Sequence, residues 1–324
     1  MLHRMTYVIG SLAYFISLNF RILFKRLIEP QAVHIGILMD GDLGDMVASE
    51  PIVGALHQKY GKVALYWITE KKYFPVFSEH PQITEMVDEY NLLVARFLLC
   101  WNPFSKFYFL QLSDFRIEPE FQIPLKNEKA DAFGIQLNNY YHQFNLLEIA
   151  SQLADLGIIS GQPHLYVDSQ ALQCTLPATY WVVHCKSNAG LRDWKDEHWI
   201  KLIQEAIATW GVHVVEIGMK NPLPFTHPNF TSLVGKCDIM ETMKIIKGAS
   251  FFIGLDSGPT HMANAFQIPG LVICGEFTYF KKYMSYSGFY QEAKHSRVLF
   301  NLHGRAEGLP YDEVWQALLA LQEK

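Results

Sequence analysis

The sequence predicts an α/β protein built from two Rossmann-like halves, each a parallel sheet with crossover helices, the two facing one another across a cleft. Short apolar runs alternate with helical stretches along most of the chain, the pattern of strands joined by right-handed crossovers. The alternation pauses at a polar, Gly- and Pro-containing stretch, Gly161–Ser169, and then restarts. With 324 residues, half of them hydrophobic, the chain is long enough for two cores of ordinary size. The expected division is a tail over residues 1–29, a first domain over 30–165 and a second over 170–324 that ends in a helix.

The tail is uncharged from residue 5 to residue 20 and then turns basic at Arg21, Lys25 and Arg26. Sixteen helical residues span about 24 Å, short of a hydrocarbon core of roughly 30 Å. Four readings stay open: contact with a membrane surface through residues 1–29, a short tilted anchor, a helix packed on the protein's own surface, and a signal peptide. No small-x-small cleavage site follows the run, which weighs against the last. If the run spans, the basic residues after it keep the body on the cytoplasmic side.

His34–Met39 reads as a buried strand and 41–44 as a turn. Asp45 to about Lys59 reads as one helix ending at Gly61. Val63–Ile68 is a second strand. A helix near 71–78 and a strand near 83–87 follow, and residues 92–140 are aromatic-rich without a clear period. A helix at about 142–156 closes the first half. In the second half, Trp181–His184, Val212–Ile217, Phe251–Leu255 and Gly270–Cys274 read as strands. Glu197–Thr209, Ile239–Lys247, Pro259–Phe266 and Asp312–Gln322 read as helices.

Composition narrows the function. Only 18% of residues are charged and the net charge is −5, which excludes a disordered chain and argues against nucleic acid as a partner. Residues 1–30 carry four basic side chains against Glu29, so the remainder has a net charge of −8. Cys100, Cys174, Cys185, Cys237 and Cys274 form no C-x-x-C pair, so a zinc ribbon or disulfide framework is not expected. A reducing compartment suits this spacing.

Ligands of such sheets sit at the carboxyl ends of strands, and three strand-to-helix junctions carry polar residues there. The first is Asp40-Gly41-Asp42-Leu43-Gly44-Asp45, where two glycines permit a tight turn beside a helix start. Asp45 either caps that helix or serves chemistry. The second runs from His184 to Trp199. Lys186 and Arg192 are candidates to face a phosphate, or the stretch is a solvated loop whose Asp196 caps the next helix. The third is Asp256-Ser257-Gly258-Pro259-Thr260-His261. Its first amides can hold an anion and Asp256 can accept from sugar hydroxyls, whereas His261 also suits plain packing on the sheet. A hydrolase triad is not indicated, because G-x-S-x-G is absent.

Together these blocks resemble glycosyltransferase family 9, the ADP-heptose:lipopolysaccharide heptosyltransferases. The resemblance runs from about His34 to Gly288. The family's I-R-x-G-x-L-G-D is similar to Leu38–Asp45. Its H-P-G-A-S-x-x-x-K-x-W-P-x-E-x-[FW] aligns without gaps on His184–Trp199. Its N-D-S-G-P-x-H-L-A-A-A matches Leu255–Ala265, and its L-x-G-K matches Leu233–Lys236.

The resemblance implies a GT-B fold and inverting, metal-independent transfer with no cofactor. The sugar, expected to be heptose from ADP-heptose, would pass to a lipid-linked glycan such as lipopolysaccharide at the cytoplasmic face of a bacterial inner membrane. It places the general base on Asp45 and the acceptor-side loop on Gly41, Asp42 and Gly44. It places donor contacts on Lys186, Asn188, Arg192, Asp256, Ser257, Gly258 and His261. Alternatives are a nucleotide-sugar-binding protein with a decayed site, and a nucleotide-sugar epimerase.

The sequence also departs from the family pattern. Met39 stands where the family has a basic residue, and Asp40 and Asp42 make the loop acidic, which disfavours an acidic acceptor. Arg192 stands for the family's lysine. Gly275-Glu276-Phe277-Thr278 stands for G-P-T-D, and no acidic ribose partner follows Gly218.

Overall fold

The computed structural model describes residues 2–39, 41–118, 121–187 and 190–323. It divides into two compact units, Met1–Asp42 with Ser49–Ile159, and Leu43–Ala48 with Ser160–Lys324.

The first unit opens with α1 (Leu2–Ile28) and β1 (Val33–Leu38). The single helix expected over residues 45–59 is instead two, α2 (Leu43–Ser49) and α3 (Pro51–Tyr60). Pro51 has no N–H to continue the ladder, so the hydrogen-bonded run is interrupted there although Glu50 keeps helical dihedrals, φ −50° and ψ −41°. Leu43–Ala48 groups with the second unit.

Then come β2 (Val63–Thr69), β3 (Glu85–Asp88), α4 (Leu92–Cys100), β4 (Lys106–Phe109), β5 (Asp114–Glu118), β6 (Phe121–Leu125), α5 (Glu128–Ala132) and α6 (Leu146–Leu153). The stretch read as a helix near 71–78 is a 3₁₀ segment, Lys71–Val76, tightened around Pro75. Asparagines start α4, α5 and α6, the last being the helix expected at about 142–156. Asn91 accepts from the amides of Leu93 and Val94, Asn127 from those of Lys129 and Ala130, and Asn145 forms a capping box with Glu148.

Among the described residues the first sheet runs β3-β2-β1-β4, all parallel, and β5 pairs antiparallel with β6. β1 and β2 are buried almost throughout, as parallel strands covered on both faces must be. Leu38, Tyr66, Ile68, Val94 and Leu98 pack there with Leu18 and Ile22 of α1.

The second unit contains β7 (Trp181–His184), α7 (Asp196–Trp210), β8 (Val214–Ile217), β9 (Phe230–Ser232), α8 (Ile239–Lys247), β10 (Phe251–Leu255), α9 (Gly258–Ala265), β11 (Gly270–Cys274), α10 (Phe289–Glu292), β12 (Ser296–Phe300) and α11 (Tyr311–Gln322). Its sheet runs β12-β11-β10-β7-β8-β9, all parallel. α7 stops at Gly211, which takes the left-handed conformation at φ 64°. α8 starts on Asp238, whose side chain accepts from Glu241 N. The core gathers Val183, Trp194, Trp199, Ile253, Ile273 and Val314.

Candidate active site in the second unit

The centre of the second sheet, β7 beside β10, ends in the two polar junctions singled out above. His184 closes β7, and burial holds its imidazole down at about 4. Its Nδ1 lies 3.0 Å from Ser257 Oγ. Ser257 Oγ also donates to Leu255 O at 3.0 Å, and Thr260 Oγ1 donates to the same carbonyl. These bonds fix the junction where β10 turns into α9. Ser257 is the N-cap of α9, and Pro259 occupies the first turn, where a missing N–H costs nothing. Gly258, at the first helical position, has no intrahelical acceptor for its amide.

Arg192 is drawn onto this junction. Its NH1 donates to Asp256 O at 2.9 Å and stands 3.7 Å from Asp256 Oδ2. The guanidinium carbon lies 3.9 Å from the centroid of the Phe277 ring, a stacked cation–π contact. The Asp256 carboxylate is engaged on its other side: Oδ1 accepts from Tyr286 OH at 2.6 Å and from Ser285 Oγ at 3.2 Å. Asp256 is thus a bracket for Arg192, with Tyr286 and Ser285 setting its orientation. The buried Tyr286 phenol is pushed far up, first by burial and then by the adjacent Asp256 charge, so it stays a donor.

Lys186 is placed differently. Its ammonium is paired with Asp196, with Asp193 also close at 3.8 Å. Burial alone would lower this ammonium's pKa; the Asp196 hydrogen bond and the two carboxylate charges outweigh it and raise the value. Asp196 is the first residue of α7 and makes this ion pair, while α7 begins after Lys195 with no side-chain cap, contrary to the capping expectation. An open groove of about 580 Å³ beside this pair is lined by Lys186, Asp193, Lys195, Asp196, Glu197 and Glu307. Its charged lining is four acids to two lysines, so the groove around Lys186 is net acidic. Asn188 lies outside the described residues, as does Asp40.

The third element is α2. Its first turn packs against the start of α9 within the second unit. A Cβ on Gly44 would come within 2.8 Å of His261 Cδ2, and a Cβ on Gly258 within 2.6 Å of Leu43 Cδ2. Both positions therefore need glycine for close approach rather than for backbone conformation. Asp45 follows Gly44 in the first turn of α2 and is partly exposed. His261 is buried, its ring 4.6 Å from Tyr286. Burial pushes its imidazole down to about 4, with Asp256 pulling the other way and Arg192 adding to the drop. Packing, the plainer reading of His261, describes its contacts well.

Gly41 and the exposed Asp42 belong to the first unit, where the Asp42 charge adds to burial in raising the Tyr73 phenol. Among the described residues no group of three or more His, Cys, Asp and Glu is arranged to hold a metal ion.

The structure thus joins Arg192, Asp256, Ser257, Gly258 and His261, and adds the α2 turn that carries Gly44 and Asp45. It leaves Lys186 tied to its own loop. Phe277, Ser285 and Tyr286 were not among the expected site residues. The only signal for any of them was the departure at Gly275–Thr278, which contains Phe277; nothing in the spacing marks a tyrosine 30 positions after the aspartate it holds.

No curated protein matches the chain. The family model of Glycosyltransferase family 9 (heptosyltransferase) matches residues 145–278. A glycosyl transferase family 9 structure from Veillonella parvula DSM 2008 superposes with a TM-score of 0.66 at 16% identity, covering 90% of this chain and 97% of that one. E. coli ADP-heptose lps heptosyltransferase II gives 0.64 at 16% identity over 90% and 99%. E. coli heptosyltransferase WaaC with ADP-2-deoxy-2-fluoro heptose gives 0.61 at 15% over 89% and 99%. At such identities these likenesses carry the fold, and the matched segment spans both the β7 and the β10 junctions. The chain is a glycosyltransferase of the GT-B fold, similar to glycosyltransferase family 9, the heptosyltransferases.

Proposed function

We propose that the protein transfers a sugar, heptose in the first instance, from an ADP-linked donor to a lipid-linked surface glycan, with inversion and without a metal ion. The acceptor hydroxyl gives its proton to the Asp45 carboxylate as its oxygen bonds to the anomeric carbon. The bond from that carbon to the diphosphate breaks with its electron pair, and ADP leaves. Arg192 and the first amides of α9 receive the charge that develops on the diphosphate, the service a metal ion performs elsewhere. Asp256, held by Tyr286 and Ser285, keeps Arg192 aimed. The solved relatives include WaaC with ADP and with an ADP-heptose analogue, which supports this donor class. On this reading the reaction takes place at the cytoplasmic face of a bacterial inner membrane, where nucleotide sugars and nascent lipid-linked glycans meet.

One observation carries the reading: the turn bearing Asp45 is packed onto the helix start beside Arg192's bracket, closely enough that Gly44 nearly touches His261. Asp45→Ala is the test. Transfer from ADP-heptose should fall by at least about 10²-fold, the usual worth of a positioned base, while ADP affinity by calorimetry stays within a few-fold of the parent. Undiminished turnover in that variant would remove Asp45 from the base role.

A further inference from the structure

The outer face of α1 is apolar and its inner face carries the polar groups, the reverse of a surface helix on a soluble protein. Ile9, Leu12, Ile16, Phe20, Leu23 and Leu27 recur at three- and four-residue spacing and are exposed, Phe20 at 72% and Leu27 at 77%. Along an α-helix this stripe is about 27 Å long. The inner face does the opposite. Ser11 and Asn19 are buried with Leu18 and Ile22. Ser11 Oγ accepts from Asn91 Nδ2 at 2.8 Å, and Tyr14 OH donates to Asp88 O at 2.6 Å. Arg21 and Lys25 both pair with Glu85, and Arg26 donates to Pro103 O.

By length and composition alone the segment Arg4–Ile28 is apolar enough to cross a membrane. Its inner face argues against crossing. A spanning α1 would have to strip itself from Asp88, Asn91 and Glu85 or carry those polar groups into hydrocarbon, and both are costly.

We infer that α1 lies flat in the headgroup region of an anionic bilayer, apolar stripe down, while its inner face stays docked on the first unit. Three features select lipid over protein as the occupant. Residues 1–30 carry a net charge of +3 on a chain that is otherwise −8, and Arg21 and Lys25 share the single carboxylate of Glu85 while staying partly exposed, which leaves positive charge over for an anionic surface. Tyr90 and Trp101 stand exposed beside the helix, Tyr90 stacked on Tyr14 at 4.7 Å and Trp101 5.8 Å from Phe15. Such amphipathic rings settle at the lipid–water boundary. A second copy offers no comparable apolar strip among the described residues other than α1 itself, and pairing two α1 faces would bring two segments of net +3 together. The purpose of the docking, presenting the site to a lipid-linked acceptor, rests on the proposed function; the docking itself rests on the geometry of α1.

The test uses the full chain, flotation on vesicles of phosphatidylethanolamine and phosphatidylglycerol, and a variant combining Leu12→Ser, Phe20→Ser, Leu23→Ser and Leu27→Ser. All four side chains are exposed, so an unchanged melting curve should confirm that the fold is kept. The parent should float with the vesicles, and the variant's partition should fall by roughly a hundredfold or more, given the apolar area withdrawn from lipid. Equal flotation of both, or a parent that stays with the soluble fraction, overturns the inference. So does a parent that sediments as a dimer while the variant is a monomer, which would make a second copy the occupant. Resistance of the membrane-bound parent to alkaline extraction would show a spanning helix and overturn it as well. ADP affinity, measured on the same two proteins, keeps the two ideas apart: its absence in the parent sinks the proposed function and leaves the docking result standing.

Discussion

Arg192 and Phe277 are two departures from the family pattern that turn out to be neighbours. A lysine ammonium in a phosphate site acts as a compact point charge, whereas a guanidinium is planar and can be held flat against a ring. Phe277 supplies that ring at 3.9 Å, and Asp256 supplies the anion on the edge. The arginine's identity was legible in the sequence; its dependence on a residue 85 positions away was not, since nothing local encodes a stacking partner. We expect the two to act as a pair in donor binding. Arg192→Ala should weaken ADP by about tenfold or more, the worth of a charged hydrogen bond. Phe277→Leu should cost about 3- to 10-fold in the parent, as cation–π contacts do, and close to nothing in the Arg192→Ala background. Calorimetry on the four proteins of this cycle decides it: additive losses would show that Phe277 acts independently of the guanidinium.

At the scale of elements, the parallel strands were legible because burial on both faces leaves a run of apolar residues, as in β1, β2, β7, β10 and β11. What escaped is what lacks that signature. β12 reads Ser-Arg-Val-Leu-Phe with mixed burial at the sheet edge, and β9 is three half-buried residues, Phe-Thr-Ser. The break between α2 and α3 had a visible cause in Pro51, yet periodicity runs through it because both pieces bury one face. The first turn of α2 packs against the start of α9. Gly44→Ala tests the approach. The added methyl would sit 2.8 Å from a His261 ring that is buried against Tyr286 and has little room to yield, so α2 must move. Melting should fall by about 1–3 kcal/mol, the usual cost of overpacking, and transfer should drop more than ADP affinity. Gly54→Ala is the control. It lies within α3 with only Gln82 Oε1 within reach, at 3.8 Å, and should be neutral or stabilising by up to about 1 kcal/mol. Equal behaviour of the two variants would mean that the contact at Gly44 imposes nothing.

For the whole molecule, the buried polar groups around the second sheet tie stability to pH. His184 and His261 have ordinary values of 6.5 that burial lowers to about 4. Between those two values the unfolded chain takes up protons that the native state refuses. The stability owed to their neutral burial is therefore complete above pH 6.5 and drains away as the pH falls toward 4. By pH 5 each histidine should have cost about 2 kcal/mol. Glu216 acts in the opposite sense. Burial raises its carboxyl, so the native state takes its proton first and gains stability on acidification; its hydrogen bonds from Ser232 and Leu223 limit that gain. Two histidines against one carboxyl leave acid destabilisation as the net expectation. Thermal unfolding at pH 7.5 and pH 5 measures it, and His261→Gln isolates one contributor by keeping a polar side chain without a titrating ring. That variant should start less stable at pH 7.5 yet lose about 2 kcal/mol less than the parent on going to pH 5. The same loss in both proteins would mean that His261 takes up its proton in the folded state as readily as in the unfolded one, and that its contacts with Tyr286 and the α2 turn do not exclude the charge.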